Sequence, residues 1–196
     1  MHDYHIHSCF SFDTNVSQQA MCQRAASLGL DGVCFTEHVD FHNVDGFDHV
    51  VDLPAYFQAT QVLAAQWRQQ LTVACGLEVG LQSDVHELNQ DYLTGQPLDF
   101  IIGSIHAADR LELCGGDFCQ GKSKAQAFGR YLEVLLEQVR QADYFHVLGH
   151  FDVIRRYCDY ADRSFPLSQY QEITAEIFRT LIRKGKGIEL NTGGLR

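Results

Sequence analysis

Residues 71–80 read LTVACGLEVG, a short apolar run that carries a single acidic side chain, Glu78, near its end. Apolar runs of this length are typical of strands buried in a sheet. Similar runs lie at residues 31–38 (DGVCFTEH) and 98–106 (LDFIIGSIH), one on either side along the chain. Farther out, the set of six predicted strands is completed by residues 3–7, 144–150 and 187–192.

Longer segments with helical patterns separate these predicted strands, and Ser17 and Ser83 are suitable N-cap residues for two of them. The helical segments cover approximately residues 17–28, 53–70, 83–95, 122–142 and 167–184, with a glycine-rich loop at 107–121. Because strands that alternate with helices form parallel βαβ units, the sequence predicts an α/β fold. Six such strands predict an open doubly wound sheet or most of a barrel.

The composition restricts the partners of this chain. It has 196 residues, of which 45% are apolar and 20% charged, which is typical of one globular domain. The formal net charge of −10 argues against nucleic acid or an anionic membrane surface as the main partner. An acidic protein that binds an anionic substrate needs a local positive charge, and a metal ion supplies one. The ten histidines are consistent with metal ligands.

Cysteine usage predicts the compartment. The seven cysteines are odd in number, none belongs to a C-x-x-C pair, and the first residues show no signal-peptide pattern. A disulfide framework or a cysteine zinc site is therefore not expected, and most cysteines are predicted to pack as small apolar residues. The sequence predicts a cytoplasmic protein.

Side chains that can bind metal ions fall at the ends of five consecutive predicted strands: His5 and His7, His38, Glu78, His106 and His150. The carboxyl ends of parallel strands form one rim, where sites are built, and residues two apart on a strand share a face. Imidazole and carboxylate ligands together suit zinc, iron or manganese. A carboxylate such as Glu78 can bridge two ions, and two-metal sites favour hydrolysis of phosphate esters by a metal-held hydroxide.

The same motifs resemble those of the PHP (polymerase and histidinol phosphatase) family, and more narrowly its histidinol-phosphate phosphatase branch. DYHIHS at 3–8 with FSFD at 10–13 resembles the first motif, and TEHVDF at 36–41 resembles the second. The later motifs follow in the same order, as GLE at 76–78, GSIH at 103–106, GHFD at 149–152 and ELNT at 189–192. The resemblance spans essentially the whole chain. It implies a distorted seven-stranded (β/α) barrel with a two- or three-metal site at its rim.

The resemblance also implies which residues hold the metal ions. One ion would be held by His5, His7 and Glu78, a second by Glu78, His106 and His150, and a third by His38 with Asp13.

Catalytic and substrate-binding residues are predicted beside these ligands. Asp13 and Glu37 are the predicted catalytic residues, and Glu37 would orient a ligand or contact the substrate amine. In family phosphatases an arginine after the fifth strand binds the substrate phosphate. Arg155 or Arg156 matches that region, and Arg155 is favoured. His42, just past the second strand, is a further predicted substrate contact.

The sequence departs from the family pattern at one point. The family's last motif, an Asp-x-His at the end of a seventh strand, has no counterpart, because no Asp or His follows residue 192. Residues 1–196 are therefore predicted to form a single PHP domain, with about six strands, that is incomplete at its carboxyl end. Either the chain is a fragment, or another subunit of a homo-oligomer completes the site.

Two rival patterns compete with this interpretation. GDFCQGKS at 116–123 fits a P-loop, but DRLEL at 109–113 is too charged for the buried strand that must precede one. Amidohydrolase barrels also begin with H-x-H, but they usually carry a metal-bridging lysine on strand four. This chain has IGSIH at 102–106 instead.

Three hypotheses for the function follow. The first, which the resemblance implies, is a cytoplasmic metal-dependent phosphomonoesterase that hydrolyses histidinol phosphate in histidine biosynthesis. The second is a metal-binding PHP fragment with impaired catalysis, and the third is a PHP phosphoesterase for another phosphate ester. The expected cofactors are two or three divalent ions of zinc, iron or manganese. The expected partner is a small phosphorylated metabolite rather than nucleic acid or a membrane.

Overall fold

The computed structural model describes residues 1–192, in which strands and helices alternate along the chain. The strands are β1 (His2–Ile6), β2 (Gly32–Asp40), β3 (His49–Val50), β4 (Thr72–Gly80), β5 (Phe100–Ser104), β6 (Ala107–Ala108), β7 (Leu111–Glu112), β8 (Val147–Leu148) and β9 (Gly187–Ile188). The α-helices are α1 (Gln18–Ser27), α2 (Leu53–Trp67), α3 (His86–Leu93), α4 (Lys124–Gln141), α5 (Ile154–Tyr157) and α6 (Gln171–Arg183). Short 3₁₀ helices lie at Asp117–Cys119 and Leu167–Tyr170.

Six strands form one parallel sheet in the spatial order β1-β2-β4-β5-β8-β9. Strand β3 pairs antiparallel with β2, and β6 and β7 form a separate hairpin. Within residues 1–192, β1 and β9 are the two edges of the parallel sheet. Tyr4 on β1 and Ile188 on β9 line the same cleft of about 600 Å³, so the sheet curls until its edges face each other. The predicted α/β barrel with about six strands is confirmed.

Local capping chemistry explains where two of the helices begin. The Ser17 side chain accepts a hydrogen bond from an amide in the first turn of α1. At the start of α4, Ser123 and Gln126 form a reciprocal capping box. The prediction of Ser83 as an N-cap is wrong, because α3 begins only at His86 and has no side-chain cap.

Alternation along the strands separates the hydrophobic core from the side chains that can bind metal ions. Phe35 on β2 and Leu77 on β4 belong to one buried cluster that packs against α1 and α2. A second buried cluster joins α4 and α6 to β8. His38 lies three residues after Phe35 and Glu78 lies one residue after Leu77, so both point to the opposite face, which is the inside of the curled sheet. No helix in the described part of the chain is long and apolar enough to cross a membrane.

Gly76 on β4 has no room for a side chain. A Cβ added there would lie 2.6 Å from the Phe100 carbonyl oxygen and 2.9 Å from Cys34 Sγ. Because a backbone carbonyl cannot rotate aside, we expect Gly76→Ala to lower the free energy of unfolding, measured in urea, by about 2 kcal/mol. Gly129→Ala on α4 is the control. Its Cβ meets no described atom within 4 Å, and it should raise stability by about 0.5–1 kcal/mol. Equal effects of the two changes would contradict this account.

Cys119 and Cys158 form a disulfide bond, with their Cα atoms 5.7 Å apart. The bond joins the 3₁₀ helix before α4 to the residue that ends α5. The sequence did not predict this pair, because residues 39 positions apart meet only in the folded chain. In residues 1–192 the other cysteines are free: Cys9, Cys22, Cys34, Cys75 and Cys114.

The predicted loop at 107–121 contains the β6–β7 hairpin followed by a 3₁₀ helix. This hairpin occupies the place where a P-loop requires a buried parallel strand. Lys122 donates a hydrogen bond from Nζ to the Phe118 carbonyl oxygen, and Ser123 caps α4, so both polar side chains are engaged locally. This context excludes the P-loop alternative.

Candidate active site

Glu78 is buried at the centre of a group of histidines on the inner face of the sheet. It lies near the end of β4 and is only 1% exposed. Its Oε2 atom lies 3.2 Å from Nε2 of His5 and 3.2 Å from Nε2 of His7. The same oxygen is 3.5 Å from Nδ1 of His38. One carboxylate oxygen therefore faces three imidazole rings.

The second carboxylate oxygen of Glu78, Oε1, faces the remaining histidines. It lies 2.9 Å from Nε2 of His150 and 3.3 Å from Nε2 of His106, and it accepts a 2.7 Å hydrogen bond from the Ser104 hydroxyl. We refer to Glu78 and its histidines as the Glu78 cluster: His5, His7, His38, His106 and His150. These residues are predicted at the ends of five strands, and the structure brings them together because parallel strands end at one rim.

The donor atoms of the Glu78 cluster fit divalent metal ions. Nε2 of His5 and Nε2 of His7 lie 3.1 Å apart, so two ring nitrogens face each other. Nδ1 of His150 is buried without a hydrogen-bond partner among the described residues. Three groups have all their ligand atoms within 4.8 Å of one another: His5, Glu78 and His150; His7, His38 and Glu78; and His38, Asp40 and His106. Imidazole nitrogens combined with carboxylate oxygens are a donor set for zinc, iron or manganese.

Charges within the Glu78 cluster are strongly coupled. Burial by itself would lower the pKa of His5, but the carboxylates of Glu78 and Glu189 outweigh it and raise that pKa to about 10. Burial would raise the pKa of Glu78, yet the charges of His5 and His106 hold it well below its usual range. Because histidine binds metal only in its deprotonated form, metal binding at this cluster releases protons.

Asp40 is a buried carboxylate beside the Glu78 cluster for which the sequence predicted no role. Its Oδ1 accepts a 2.7 Å hydrogen bond from Nδ1 of His106, and its Oδ2 lies 3.0 Å from Nδ1 of His38. The first contact directs Nε2 of His106 towards Glu78. Asp40 follows His38 by two positions on β2, and this spacing is the sequence signal that places both on one face.

Glu189 is a second carboxylate without a predicted role, although it belongs to the ELNT motif at 189–192. It lies directly after β9, and its Oε1 accepts hydrogen bonds from Nδ1 of His5 at 2.6 Å and from the Asn191 side-chain amide at 2.9 Å. Its Oε2 accepts a 2.7 Å hydrogen bond from the backbone amide of His150. Its position at the end of a parallel strand is the signal that identifies it as a residue of the rim.

The Glu78 cluster lines a cavity of about 430 Å³, a volume typical of sites for small metabolites. Asp13 lies in its wall, with Oδ1 3.4 Å from Nδ1 of His7 and Oδ2 3.8 Å from Nε2 of His38. Arg156 also lines the cavity, and its Nη2 donates a 2.6 Å hydrogen bond to Oδ1 of Asn191. The cavity therefore combines metal-ligand side chains with a guanidinium group.

Arg155 and His42 are not brought into this cavity, although both are predicted substrate contacts. The Arg155 side chain is 45% exposed and pairs with Asp152 at 3.2 Å, whereas Arg156 faces inward. Adjacent residues on a helix point about 100° apart, which is why the two arginines face different surroundings. His42 has a left-handed backbone (φ 50°), and its Nδ1 lies 3.6 Å from Asp84.

Glu37 is a predicted catalytic residue that the structure also places outside the cavity. It is fully buried and accepts hydrogen bonds from the Ser8 amide at 2.9 Å, the Ser8 hydroxyl at 2.5 Å and the Ser11 hydroxyl at 2.6 Å. Because side chains alternate along β2, Glu37 points away from the face that carries His38. Its contacts hold the segment between β1 and α1, which carries Asp13.

We expect Glu37→Gln to lower the free energy of unfolding by about 2 kcal/mol, because an amide replaces the anionic acceptor of three hydrogen bonds. Denaturant titration measures the loss, and the metal content of the folded protein should be unchanged. Glu133→Gln on the exposed side of α4 is the control, with an expected change below about 0.5 kcal/mol. Unchanged stability together with a large loss of turnover would instead assign Glu37 to catalysis.

Comparisons with known proteins agree with this geometry. A family model described as the PHP domain matches residues 3–193. A histidinol-phosphatase of Lactococcus lactis subsp. lactis is 36% identical over 192 residues, which cover 97% of this chain and 71% of that protein. A crystal structure of histidinol phosphate phosphatase from the same organism is complexed with zinc, L-histidinol and phosphate. It aligns with a TM-score of 0.94 at 34% identity, over 97% of this chain and 73% of that chain.

A more distant solved structure, from Listeria monocytogenes, agrees in fold. It is 18% identical and aligns with a TM-score of 0.77 over 100% of this chain and 84% of that chain. At this identity the likeness supports the barrel architecture alone.

Proposed function

Because this chain belongs to the PHP domain family, we propose that it is a metal-dependent phosphomonoesterase that hydrolyses L-histidinol phosphate to L-histidinol and phosphate. The 36% identity to a histidinol-phosphatase over 97% of the chain supports this substrate. The Glu78 cluster is the observation that carries the proposal. A protein with net charge −10 needs concentrated positive charge to bind a phosphate ester, and metal ions in this cluster supply it. The reaction fits histidine biosynthesis.

We propose two or three divalent ions at the Glu78 cluster, with zinc first and iron or manganese as alternatives. The proposed ligand sets are His5, His7 and Glu78; Glu78, His106 and His150; and His38 with Asp13. Zinc is supported by the Lactococcus structure, which was complexed with it. When bound, such ions supply charge to the phosphate oxygens and acidify a water for attack on phosphorus.

The chain's own residues bind the substrate and move protons. Arg156 presents a planar fork of donors that matches two phosphate oxygens, and we assign it to the substrate phosphate. Asp45 and Glu112 line the same cavity and carry negative charge towards the substrate ammonium. The Asp13 side chain is 43% exposed in the wall of the cavity, and we assign its carboxylate as the proton acceptor.

The test is phosphate release from L-histidinol phosphate by the zinc-loaded protein, with metal content measured on the same sample. We expect bound zinc, and a higher kcat/KM for L-histidinol phosphate than for phosphoserine or glycerol phosphate. Bound zinc without turnover of any ester would support a catalytically impaired PHP domain. Preference for another ester would select a different PHP phosphoesterase. A protein without bound metal, and with turnover unaffected by His5→Ala, would contradict the proposal.

The remaining predictions concern location and completeness. A cytoplasmic location is supported by the five free cysteines of residues 1–192, of which Cys9 and Cys114 are exposed, whereas the Cys119–Cys158 disulfide argues against it. That the PHP domain continues into a seventh strand, or is completed in a homo-oligomer, stays a prediction. The chain spans 71% of the length of its Lactococcus relative.

A further inference from the structure

Glu189 connects the first and last strands of the parallel sheet. Strands β1 and β9 are its edges, and within residues 1–192 they share no backbone ladder. Residues of both strands line the cleft of about 600 Å³ that separates them. Glu189 reaches across the end of this cleft, since its Oε1 lies 2.6 Å from Nδ1 of His5 on β1. Its Oε2 accepts a hydrogen bond from the backbone amide of His150, which follows β8.

The contact with Glu189 determines which nitrogen of His5 carries a proton. An ionised carboxylate only accepts hydrogen bonds, so Nδ1 of His5 must be the donor. In the neutral ring, Nε2 then carries the lone pair, and it faces Glu78 Oε2 at 3.2 Å and His7 Nε2 at 3.1 Å. The lone pair therefore points into the proposed metal site. Metal-ligating histidines commonly have such a carboxylate partner, which fixes the tautomer and the ring orientation.

Glu189 differs from the other carboxylate that orients a histidine, Asp40. Asp40 ends β2, a central strand that pairs with β4 from Gly32 to Val39. Its distance from His106, two residues after β5, is therefore held by the backbone ladders that join β2 to β4 and β4 to β5. The distance between His5 and the end of β9 has no such backbone support among the described residues. Glu189 thus links the orientation of the His5 ring to the distance between the edge strands β1 and β9.

We propose that Glu189 is a positioning residue that holds His5 in its Nδ1–H tautomer and thereby couples closure of the curled sheet to metal affinity. This inference rests on the proposed function in that the Glu78 cluster binds metal. It assigns Glu189 no contact with the substrate or the metal ions. Loss of the carboxylate should therefore weaken metal binding while the KM for substrate, measured at saturating zinc, stays unchanged.

The test compares Glu189→Leu, which removes the acceptor, with Glu189→Gln, whose amide oxygen can still accept from Nδ1 of His5. Zinc affinity is measured by competition with a chelator. For Glu189→Leu we expect affinity for one zinc equivalent to fall about 10- to 100-fold. Glu189→Gln should recover part of this loss. With Co²⁺ in place of zinc, the visible spectrum of Glu189→Leu should change, which a purely structural contact would not cause.

A matched control comes from Asp99, which directly precedes β5 and whose Oδ2 accepts a 2.9 Å hydrogen bond from the Cys75 amide within β4. Asp99 thus also joins neighbouring strands through a carboxylate, but it does not line the cavity of the Glu78 cluster. Asp99→Leu, which removes the acceptor as Glu189→Leu does, should leave zinc affinity and the Co²⁺ spectrum unchanged. If Asp99→Leu weakened zinc binding as much as Glu189→Leu, general loosening of the sheet would explain both, and the proposal would fall.

A measurement on the wild-type protein does not depend on variants that fold. In the zinc-loaded protein with ¹⁵N-labelled histidine, the His5 ring should show a proton on Nδ1 and none on Nε2. A proton on Nε2 would overturn the inference. Unchanged zinc affinity in both Glu189 variants would also overturn it while leaving the proposed function standing. A wild-type protein that binds no zinc would overturn the two together.

Discussion

Glu78→Gln is expected to abolish tight zinc binding and to lower kcat/KM for L-histidinol phosphate at least about 10³-fold. Glu78 places one oxygen against His5, His7 and His38 and the other against His106 and His150. An amide has no negative charge, and its NH₂ group would be directed at ring nitrogens that must themselves donate electron pairs. Losing about 4 kcal/mol of electrostatic stabilisation from the ions corresponds to a factor of about 10³ in rate.

Metal analysis and steady-state kinetics on the same preparation test this expectation. Glu37→Gln is the matched control, because Glu37 is also a fully buried glutamate and lies on the neighbouring strand. It faces away from the cavity, so it should cost stability and retain zinc. If Glu78→Gln kept its full zinc content and its turnover, Glu78 would not be the shared ligand of this site.

Arg156→Met is expected to lower kcat/KM for L-histidinol phosphate about 100-fold. The guanidinium lines the cavity and is already oriented by its hydrogen bond to Asn191. Two charge-assisted hydrogen bonds to phosphate are worth about 3 kcal/mol, which corresponds to about 100-fold. Arg156→Lys should recover only part of this loss, because an ammonium lacks the planar fork of donors.

Arg155→Met is the control for this prediction, since Arg155 is adjacent in sequence, carries the same charge and pairs with Asp152 at the surface. We expect kcat/KM to change by less than about twofold, within the range of surface substitutions. Inhibition by inorganic phosphate gives a second measurement and should weaken only in the Arg156 variant. A larger effect at Arg155 than at Arg156 would assign the substrate phosphate to Arg155, as the sequence predicted.

The α/β architecture was predictable because it follows from sequence patterns that extend over only a few residues. Parallel strands that alternate with helices follow from apolar runs and capping residues, as at Ser17, and the strand ends meet at one rim in any such fold. The Glu78 cluster was predictable for the same reason, because each of its residues ends a strand. Hydrophobic alternation alone placed His38 and Glu78 on the inner face.

Residues that act through a partner were harder to predict. Asp40 and Glu189 both lie within recognised motifs, but their roles depend on which histidine stands opposite. The Cys119–Cys158 pair depends likewise on two segments that are 39 positions apart and meet only in the folded chain. The spacing of two residues in the sequence predicts a contact between them only when both belong to the same helix or strand.

By itself the sequence determined the α/β class, the order of the strands along the chain and the set of histidines and carboxylate at the rim. These features depend on which positions along each strand are apolar and which are polar, and this alternation can be read directly from the sequence. Only the tertiary structure decided that Arg156 rather than Arg155 enters the cavity. It also decided that Glu37 supports the segment between β1 and α1, and that Glu189 contacts His5 across the cleft between β1 and β9. Each of these depends on the direction of a side chain relative to a distant element, and packing of the whole chain sets that direction.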